Sequence, residues 1–181
     1  MATSDLNTQD SADSFETFEA YAASVAPAAN KSMISIANTS STKICKIRSI
    51  YLTNVQTTAV TGVMLNFELR RIASHSVGTS ITPSQYDTEI TLDSGITART
   101  GATVTSEGAV IRRWTYSSDE HGVGAVDVEA SDYPINAVIP IFQQEKYGAP
   151  IVLRNGQGLS LKQTISSTVG SFDLNIVFTQ E

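Results

Sequence analysis

Strict alternation of apolar and polar residues is the feature that most constrains the fold of this chain. Between residues 63 and 70, Val63, Leu65, Phe67 and Leu69 occupy every second position, and Asn66, Glu68 and Arg70 lie between them. Because successive side chains of a β-strand point to opposite faces, this pattern gives one apolar face and one polar face. The same pattern recurs at 159–165 and 172–179. The sequence therefore predicts several strands that each bury one face.

The rest of the chain after residue 30 also favours strands over helices. Further strands are predicted at 32–36, 43–54, 109–116 and 136–142, and no stretch keeps a helical period over three turns. A hairpin turn is predicted at 169–171, between the last two strands. Strands without helices to cover them must bury their apolar faces on one another, in a sandwich or a closed barrel. The predicted fold class is therefore all-β.

Residues 1–30 differ from the rest and are predicted to form an N-terminal arm, which leaves 31–181 as the folded domain. The first fourteen residues offer almost nothing to bury, and every charged side chain before residue 31 is acidic. Apolar residues at 15, 18, 22 and 25 recur at helical spacing, which allows a helix too short to be stable alone. The arm is either a flexible tail or a segment that orders against a partner. In the second case Phe15, Phe18 and Tyr21 are candidate interface residues.

Charge and composition exclude several classes of partner. The net charge is −6, with only 12 lysines and arginines, so binding to the phosphates of nucleic acid or to an anionic membrane surface is not expected. No apolar run reaches the roughly 18 residues of a transmembrane helix, and no secretory leader is recognisable. Synthesis in a cytoplasm is expected. No nucleic-acid or membrane partner is predicted.

No spacing of reactive residues predicts an enzyme. His75 and the run 119–121 (Asp-Glu-His) contain metal-ligand types, but with only two histidines in the chain they are better explained as solvated loop residues. No nucleophile elbow or phosphate-binding loop is present. The lone Cys45 lies among apolar residues and is predicted to be a buried small side chain. We therefore expect no catalytic residue, metal or cofactor.

Two arginine pairs are the most distinctive charged features. Arg70-Arg71 and Arg112-Arg113 each lie in a predicted strand, so the two members of each pair point to opposite faces. A buried guanidinium requires a carboxylate partner, for which Glu68, Asp87 and Asp119 are candidates. The pairs are either structural or part of a subunit interface, where arginine is enriched. Under the second interpretation Arg70 and Arg112 are candidate interface residues.

Two other features have open interpretations. The strand-poor stretches 73–100 and 117–135 are longer than ordinary loops, so they are either contact surfaces or contain short strands that the pattern does not reveal. Trp114 and Tyr116 are expected to pack in the core if they share a strand face.

Three stretches resemble single jelly-roll domains in structural proteins of tailed bacteriophages. Residues 32–52 (SMISIANTSSTKICKIRSIYL) resemble a paired opening of a short strand, a polar turn and a longer strand. Residues 62–72 (GVMLNFELRRI), followed by Gly78-Thr79-Ser80, Pro83 and Asp87, resemble a long strand leading into an extended loop. Residues 150–162 (PIVLRNGQGLSLK) resemble the turn before the last hairpin of such sandwiches.

The resemblance implies an antiparallel β-sandwich of the jelly-roll type and a homo-oligomer, with a trimer favoured. It implies a capsid decoration or cement protein that stabilises the phage head shell by contacts with the major capsid protein or other virion proteins. The protein would be assembled in the host cytoplasm and located on the head surface of the virion. The acidic arm departs from the basic arms of genome-packaging coats, which favours an accessory role. The alternative is a host-recognition domain of a tail or head fibre that binds a receptor or glycan.

Overall fold

The computed structural model describes residues 16–55, 63–118, 138–146, 148–165 and 170–181. Within these ranges the chain forms β-strands and no helix, and hence no helix long and apolar enough to cross a membrane. The strands build two antiparallel sheets that pack face to face around a shared core. The prediction of an all-β, antiparallel sandwich is confirmed.

Fourteen strands are present in the described ranges. In chain order they are β1 (Glu16–Val25), β2 (Ser32–Asn38), β3 (Cys45–Asn54), β4 (Val63–Ile72), β5 (Ser74–Ser76), β6 (Thr79–Ile81), β7 (Ser84–Gln85), β8 (Ile96–Thr100), β9 (Thr103–Thr105), β10 (Val110–Ser118), β11 (Val138–Gln143), β12 (Ile151–Leu153), β13 (Gln157–Gln163) and β14 (Phe172–Gln180).

The long strands are divided between two sheets. Sheet A has the order β11-β3-β14-β1-β7, with β12 also paired to β3. Sheet B has the order β10-β4-β13-β2-β8-β6, and β5 and β9 form a separate two-stranded ribbon. The connections β1 to β2, β2 to β3, β3 to β4, β10 to β11 and β13 to β14 each pass from one sheet to the other. Neighbours in the chain are therefore often not neighbours in a sheet.

This topology corrects two predictions of strand pairing. The hairpin predicted at 169–171 is wrong, because β13 belongs to sheet B and β14 to sheet A. The opening at 32–52 is not a paired unit either, because β2 and β3 also belong to different sheets. Alternation identifies which face of a strand is apolar, but it carries no information about which strand lies beside it.

The core lies between the two sheets and is built from their alternating apolar residues. Phe18 of β1 stacks on Phe178 of β14, with ring centroids 5.7 Å apart, and Phe67 of β4 meets Phe172 edge-on at 6.1 Å. All four rings are fully buried. Burial of each such side chain stabilises the fold by about 1.5–3 kcal/mol relative to exposure. The apolar face of the strand predicted at 63–70 thus forms part of this core.

Residues 16–25 are a strand of the sandwich, and neither a helix nor part of a separate arm. β1 pairs with β14 from Glu16, opposite Gln180, to Val25, opposite Phe172, with a bulge after Ala22. The predicted domain boundary at residue 30 therefore cuts through sheet A. Phe18, Ala20 and Ala22 alternate with polar or exposed residues, a two-residue period that is partly hidden by the helical spacing at 15, 18, 22 and 25.

The long stretch 73–100 contains short strands. β5, β6, β7 and β8 all lie within it, which confirms the second of its two interpretations. In the other long stretch, only residues 117 and 118, at the end of β10, are described, and residues 119–135 lie outside the described ranges.

Candidate functional site

The outer faces of the two sheets differ in exposure. In β1, β3 and β14 of sheet A, buried residues alternate with partly or fully exposed ones along most of each strand. In β2 of sheet B every residue is buried, and in β13 nearly every residue is. Sheet A therefore presents an open outer face, whereas the middle of sheet B is covered on both sides.

Tyrosine residues cross the open face of sheet A in a row. Tyr21 of β1 lies opposite Asn175 of β14, Asn175 lies opposite Tyr51 of β3, and Tyr51 lies opposite Pro140 of β11. Tyr86, which follows β7, lies further along β1, where its backbone N–H donates to the Thr17 backbone oxygen. Tyr21 is 49% exposed and Tyr86 62% exposed. We refer to this surface, which includes the following residues, as the tyrosine face: Glu19, Tyr21, Tyr51, Tyr86, Asp173 and Asn175.

Hydrogen bonds hold the side chains of the tyrosine face in place. The Tyr21 hydroxyl donates to Asp173 Oδ2 at 2.6 Å, and the Ser24 backbone N–H donates to Oδ1 of the same carboxylate at 2.8 Å. The Tyr86 hydroxyl donates to Glu19 Oε2 at 3.2 Å, and the Asn175 amide donates to the other oxygen of Glu19. The hydrogen bond to Asp173 raises the pKa of Tyr21. Contacts within the chain thus fix the positions of these side chains.

The tyrosine face combines aromatic, amide and carboxylate side chains. Tyrosine offers a large contact area at low cost in side-chain entropy, and asparagine, serine and threonine offer adaptable hydrogen bonds. Neither Glu19 nor Asp173 forms an ion pair with any of the residues that the structure describes. At the opposite end of sheet A, by contrast, Glu16 pairs with Lys43 and Glu181 with Lys46. The tyrosine face therefore carries unneutralised negative charge.

The covered face of sheet B is a polar layer beneath the ribbon of β5 and β9. His75 of β5 lies with Nδ1 2.8 Å from Ser35 Oγ and with Nε2 2.9 Å from Thr97 Oγ1. Beside it the Ser160 hydroxyl donates to Ser32 Oγ at 2.8 Å. Burial, together with the nearby Arg99, lowers the pKa of His75 to about 4. The interpretation of His75 as a solvated loop residue is wrong, since it links the ribbon to the sheet.

The Ser35–His75 contact has the donor and acceptor types of a catalytic pair but not the access. A histidine activates a serine when the hydroxyl can reach a substrate and a third group orients the ring. Ser35 is fully buried, and the group on the far side of His75 is the Thr97 hydroxyl rather than a carboxylate. The pair holds two elements together and cannot meet a substrate in this arrangement.

An ionic cluster at the margin of the covered layer contains Arg70. Its guanidinium pairs with Glu68 at 3.1 Å and also with Glu107, which accepts from Lys162 Nζ at 2.6 Å. Glu68 is one of the partners predicted for the arginines, whereas Glu107 was not among them. Asp87 instead accepts from the Glu89 backbone N–H. These contacts within the chain favour a structural role for Arg70.

β10, one of the two edge strands of sheet B in the described ranges, carries a second exposed surface. Ile111 is 43% exposed, and the Arg113 side chain is 72% exposed although its Nε contacts Glu68 at 2.7 Å. The Arg112 guanidinium lies 5.7 Å from the centre of the Trp114 ring, a cation–π arrangement. Trp114 itself is partly buried against the core. We refer to Ile111, Arg112 and Arg113 as the arginine edge.

The second arginine of the first pair is used within the fold. Arg71 points toward sheet A and donates from Nη1 to the Val152 backbone oxygen at 2.7 Å. Burial lowers the pKa of its guanidinium. The alternation predicted for the Arg70-Arg71 pair therefore places both members in contacts within the chain, on opposite sides of sheet B.

The described residues offer no constellation for metal binding. No group of three histidine, cysteine, aspartate or glutamate side chains within these ranges could hold an ion. Residues 119–121 lie outside the described ranges. Cys45 is fully buried, as predicted, and burial raises the pKa of its thiol to about 12. A depression of about 330 Å³ between the β1–β2 loop and Gly101 is lined mainly by small residues, and Lys31 is its charged residue.

The structure places the predicted interface residues in different environments. Phe18 is wrong as a surface residue, because its ring is 0% exposed in the core. Phe15 lies outside the described residues. Tyr21 lies on the tyrosine face and Arg112 on the arginine edge, whereas Arg70 lies in the ionic cluster. Sequence reasoning missed Tyr51 and Tyr86, which become part of one surface only through strand order.

Comparisons with known proteins give no relative to argue from. No family model, no curated protein and no solved structure matches this chain.

Proposed function

We propose that this protein is a virion structural protein, a capsid decoration or cement protein that binds and stabilises a phage head shell through protein–protein contacts. The observation that carries the proposal is the tyrosine face, an open and ordered surface that spans four strands of a rigid sheet. Residues on strands are positioned more firmly than residues on loops, which suits a lasting mechanical contact. The major capsid protein or another virion protein is the proposed partner, and the head surface is the proposed location.

We infer further that the sandwich is a jelly roll. Eight strands form two four-stranded layers, β1-β14-β3-β11 and β2-β13-β4-β10; consecutive long strands alternate between the two layers except for β4 and β10, which are neighbours in one layer. This order is consistent with the double Greek key of jelly-roll domains. It supports the resemblance to phage structural proteins, in which β5 to β9 would be an insertion between two strands of one layer.

The test of the proposed function is binding to shells that lack the protein. Full-length protein is mixed with such shells and sedimented, alongside a variant that carries Tyr21→Ala and Tyr51→Ala. We expect the double variant to bind at least tenfold more weakly while its circular dichroism is unchanged. Val77→Ala, which changes an exposed residue on a turn outside the tyrosine face, is the matched control. Equal shell binding by the double variant and the wild type would contradict the proposal.

The alternative is a receptor- or glycan-binding domain of a fibre, and one observation favours it. Tyr21 and Tyr86 present exposed rings beside the carboxylates of Asp173 and Glu19, and such rings with adjacent acceptors also suit a sugar. A glycan array separates the two functions. A cement protein gives no signal on the array, whereas specific binding that is lost with Tyr21→Ala would establish the alternative.

A further inference from the structure

The ends of the two large sheets differ in how well they are protected against further strand pairing. Sheet A ends on one side at β7, which has two residues, and on the other at β11, where Pro140 lacks a backbone N–H and a bulge follows it. Sheet B ends on one side at β6, which has three residues. Short strands, prolines and bulges prevent edge-to-edge association. Within the described ranges, three of the four ends thus carry such protection.

The fourth end, β10, is long and regular. It has nine residues, contains neither proline nor glycine, and pairs with β4 residue for residue from Arg112 to Ser118, after a bulge at its first residues. Its other edge has no strand partner among the residues that the structure describes. An edge of this kind is a template for another strand. Ile111, which is 43% exposed, adds an apolar side chain to it.

The arginines of β10 do not prevent such pairing. Charged side chains protect an edge when pairing would bring like charges together or leave a charge without a partner. Here Arg113 Nε contacts Glu68 at 2.7 Å, and the Arg112 guanidinium lies 5.7 Å from the centre of the Trp114 ring. Each cation therefore has a partner within its own chain, and it keeps that partner when a strand is added beside β10.

We propose that β10 pairs antiparallel with β10 of a second copy of this chain, so that sheet B continues through two molecules. A two-fold axis perpendicular to the sheet places one residue opposite its own counterpart. Trp114 is the middle residue of β10, so an axis at Trp114 pairs all nine residues of the strand. Arg113 then lies opposite Thr115, and Arg112 lies opposite position 116. An axis at either arginine would instead place two arginines directly opposite each other.

The sequence of β10 supplies both members of every pair in this register, which is why the proposed occupant is a second copy. The two Trp114 side chains form an aromatic cross-strand pair, a kind that stabilises antiparallel strands. The Arg112 guanidinium of each copy lies diagonally across from the Trp114 ring of the other, which favours a second cation–π contact. Backbone groups along both edges exchange water for hydrogen bonds to each other.

The contact uses the same surface on both copies. Such an isologous interface closes as a dimer and does not extend into a filament. The proposed dimer differs from the trimer that the resemblance favours. It leaves the tyrosine face on sheet A uncovered, so the inference does not rest on the proposed function and is tested without shells.

The first experiment is sedimentation velocity of the full-length protein and two variants at position 115. Residue 115 lies opposite Arg113 twice in each dimer, so Thr115→Glu should tighten association about threefold or more and Thr115→Lys should weaken it by a similar factor. Both changes remove the hydrogen bond from Thr115 to Asn66, so their difference isolates the charge. Thr88→Glu and Thr88→Lys change an exposed residue outside β10 and should associate like the wild type. Circular dichroism checks that every variant folds.

The second experiment tests the register by disulfide formation between copies. Arg113→Cys and Thr115→Cys are oxidised separately and as a mixture, and the buried Cys45 is not accessible to join them. Directly opposite side chains are close enough to cross-link, so we expect a linked dimer from the mixture and none from either variant alone. A linked dimer of one variant alone would contradict an axis at Trp114.

Three further outcomes would overturn the inference. These are a wild type that stays monomeric at the highest concentration measured, a wild type that forms trimers, and equal association of the two Thr115 variants. The charge series does not depend on cross-linking, so it decides the question even if Arg113→Cys fails to fold.

Discussion

Both sheets present alternating apolar residues to the core, but their outer faces have opposite environments. Sheet A leaves Tyr21, Tyr51 and Asn175 open, whereas sheet B covers Ser35 and Ser160 with the ribbon of β5 and β9. Polar residues thus occupy both outer faces, with large side chains in the tyrosine face and small serines beneath the ribbon. The comparison teaches that a polar strand position does not imply exposure. Residue size and the hydrogen bonds available to it separate the two cases.

A substitution at Gly158, on the covered face, should give the largest difference in stability between the two faces. A β-carbon at Gly158 would lie 2.7 Å from the Ile36 backbone oxygen and 2.8 Å from Ile72 Cγ1. We expect Gly158→Val to lower the free energy of unfolding by about 3 kcal/mol through overpacking. Thr53→Val, on the open face, should change it by less than about 0.5 kcal/mol. Urea denaturation measures both, and similar losses would show that the two faces do not differ in packing.

Breaking an ion pair should also destabilise the fold more on sheet B than on sheet A, although by less than the Gly158 substitution does. Glu68 is nearly buried and pairs with Arg70 and Arg113, so Glu68→Gln leaves a largely buried guanidinium with one acid fewer. We expect a loss of about 2 kcal/mol in the free energy of unfolding. Glu16→Gln on sheet A breaks a partly exposed pair with Lys43 and should cost less than about 1 kcal/mol. Equal costs in urea denaturation would remove this distinction.

The covered layer should also make stability depend on pH through His75. Its pKa is about 4 in the fold, compared with an ordinary 6.5, so between these values only the unfolded chain takes up the proton. Stability is therefore fully present above about pH 6.5 and declines as the pH falls toward 4. After allowance for the partial exposure of the ring, the decline due to His75 is about 1–2 kcal/mol.

The measurement is urea denaturation at a series of pH values for the wild type and for His75→Gln. We expect a flatter profile for the variant, and the difference between the two profiles isolates this histidine from His121 and from the acidic residues. Parallel profiles over pH 4–6.5 would mean that the ring is not buried in its neutral form.

Removing a single hydroxyl from each outer face should give the smallest difference in stability between the two sheets. Ser35→Ala leaves His75 without its buried partner and should cost about 1 kcal/mol. Tyr21→Phe removes a hydrogen bond to Asp173 at the surface and should cost less than about 0.5 kcal/mol. Thermal unfolding of both variants checks the order, and a larger loss for Tyr21→Phe would place the ordered polar layer on sheet A instead.

Local pattern predicts much of this fold but not its assembly. The strand at 63–72 and the burial of Cys45 follow from alternation and apolar neighbours. The pairing of β1 with β14 does not, because it joins segments about as far apart in the chain as the described residues allow. The apolar residues of this first segment fit both a helical and a strand spacing. The structure that the segment adopts is therefore determined by the strand it pairs with, and the local sequence does not identify that strand.

The candidate site shows the same limit. Tyr21 could be singled out from sequence, but Tyr51, Tyr86 and Asn175 join it only because four strands lie side by side in register. His75 lacked any signal of burial, since its partners Ser35 and Thr97 are distant in sequence. Surfaces that consist of residues from many strands therefore emerge only from the three-dimensional arrangement.

The pairing of β1 with β14 has a consequence for biosynthesis. A ribosome adds roughly 5–20 residues each second, so β1 emerges on the order of ten seconds before the strand that completes it. Until then Phe18 has no ring to stack on, and one long edge of the nascent sheet lacks hydrogen bonds. Chains translated together on one messenger RNA would expose this edge to each other. Because this long-range pairing forms late, we expect correct folding to benefit from abundant chaperones.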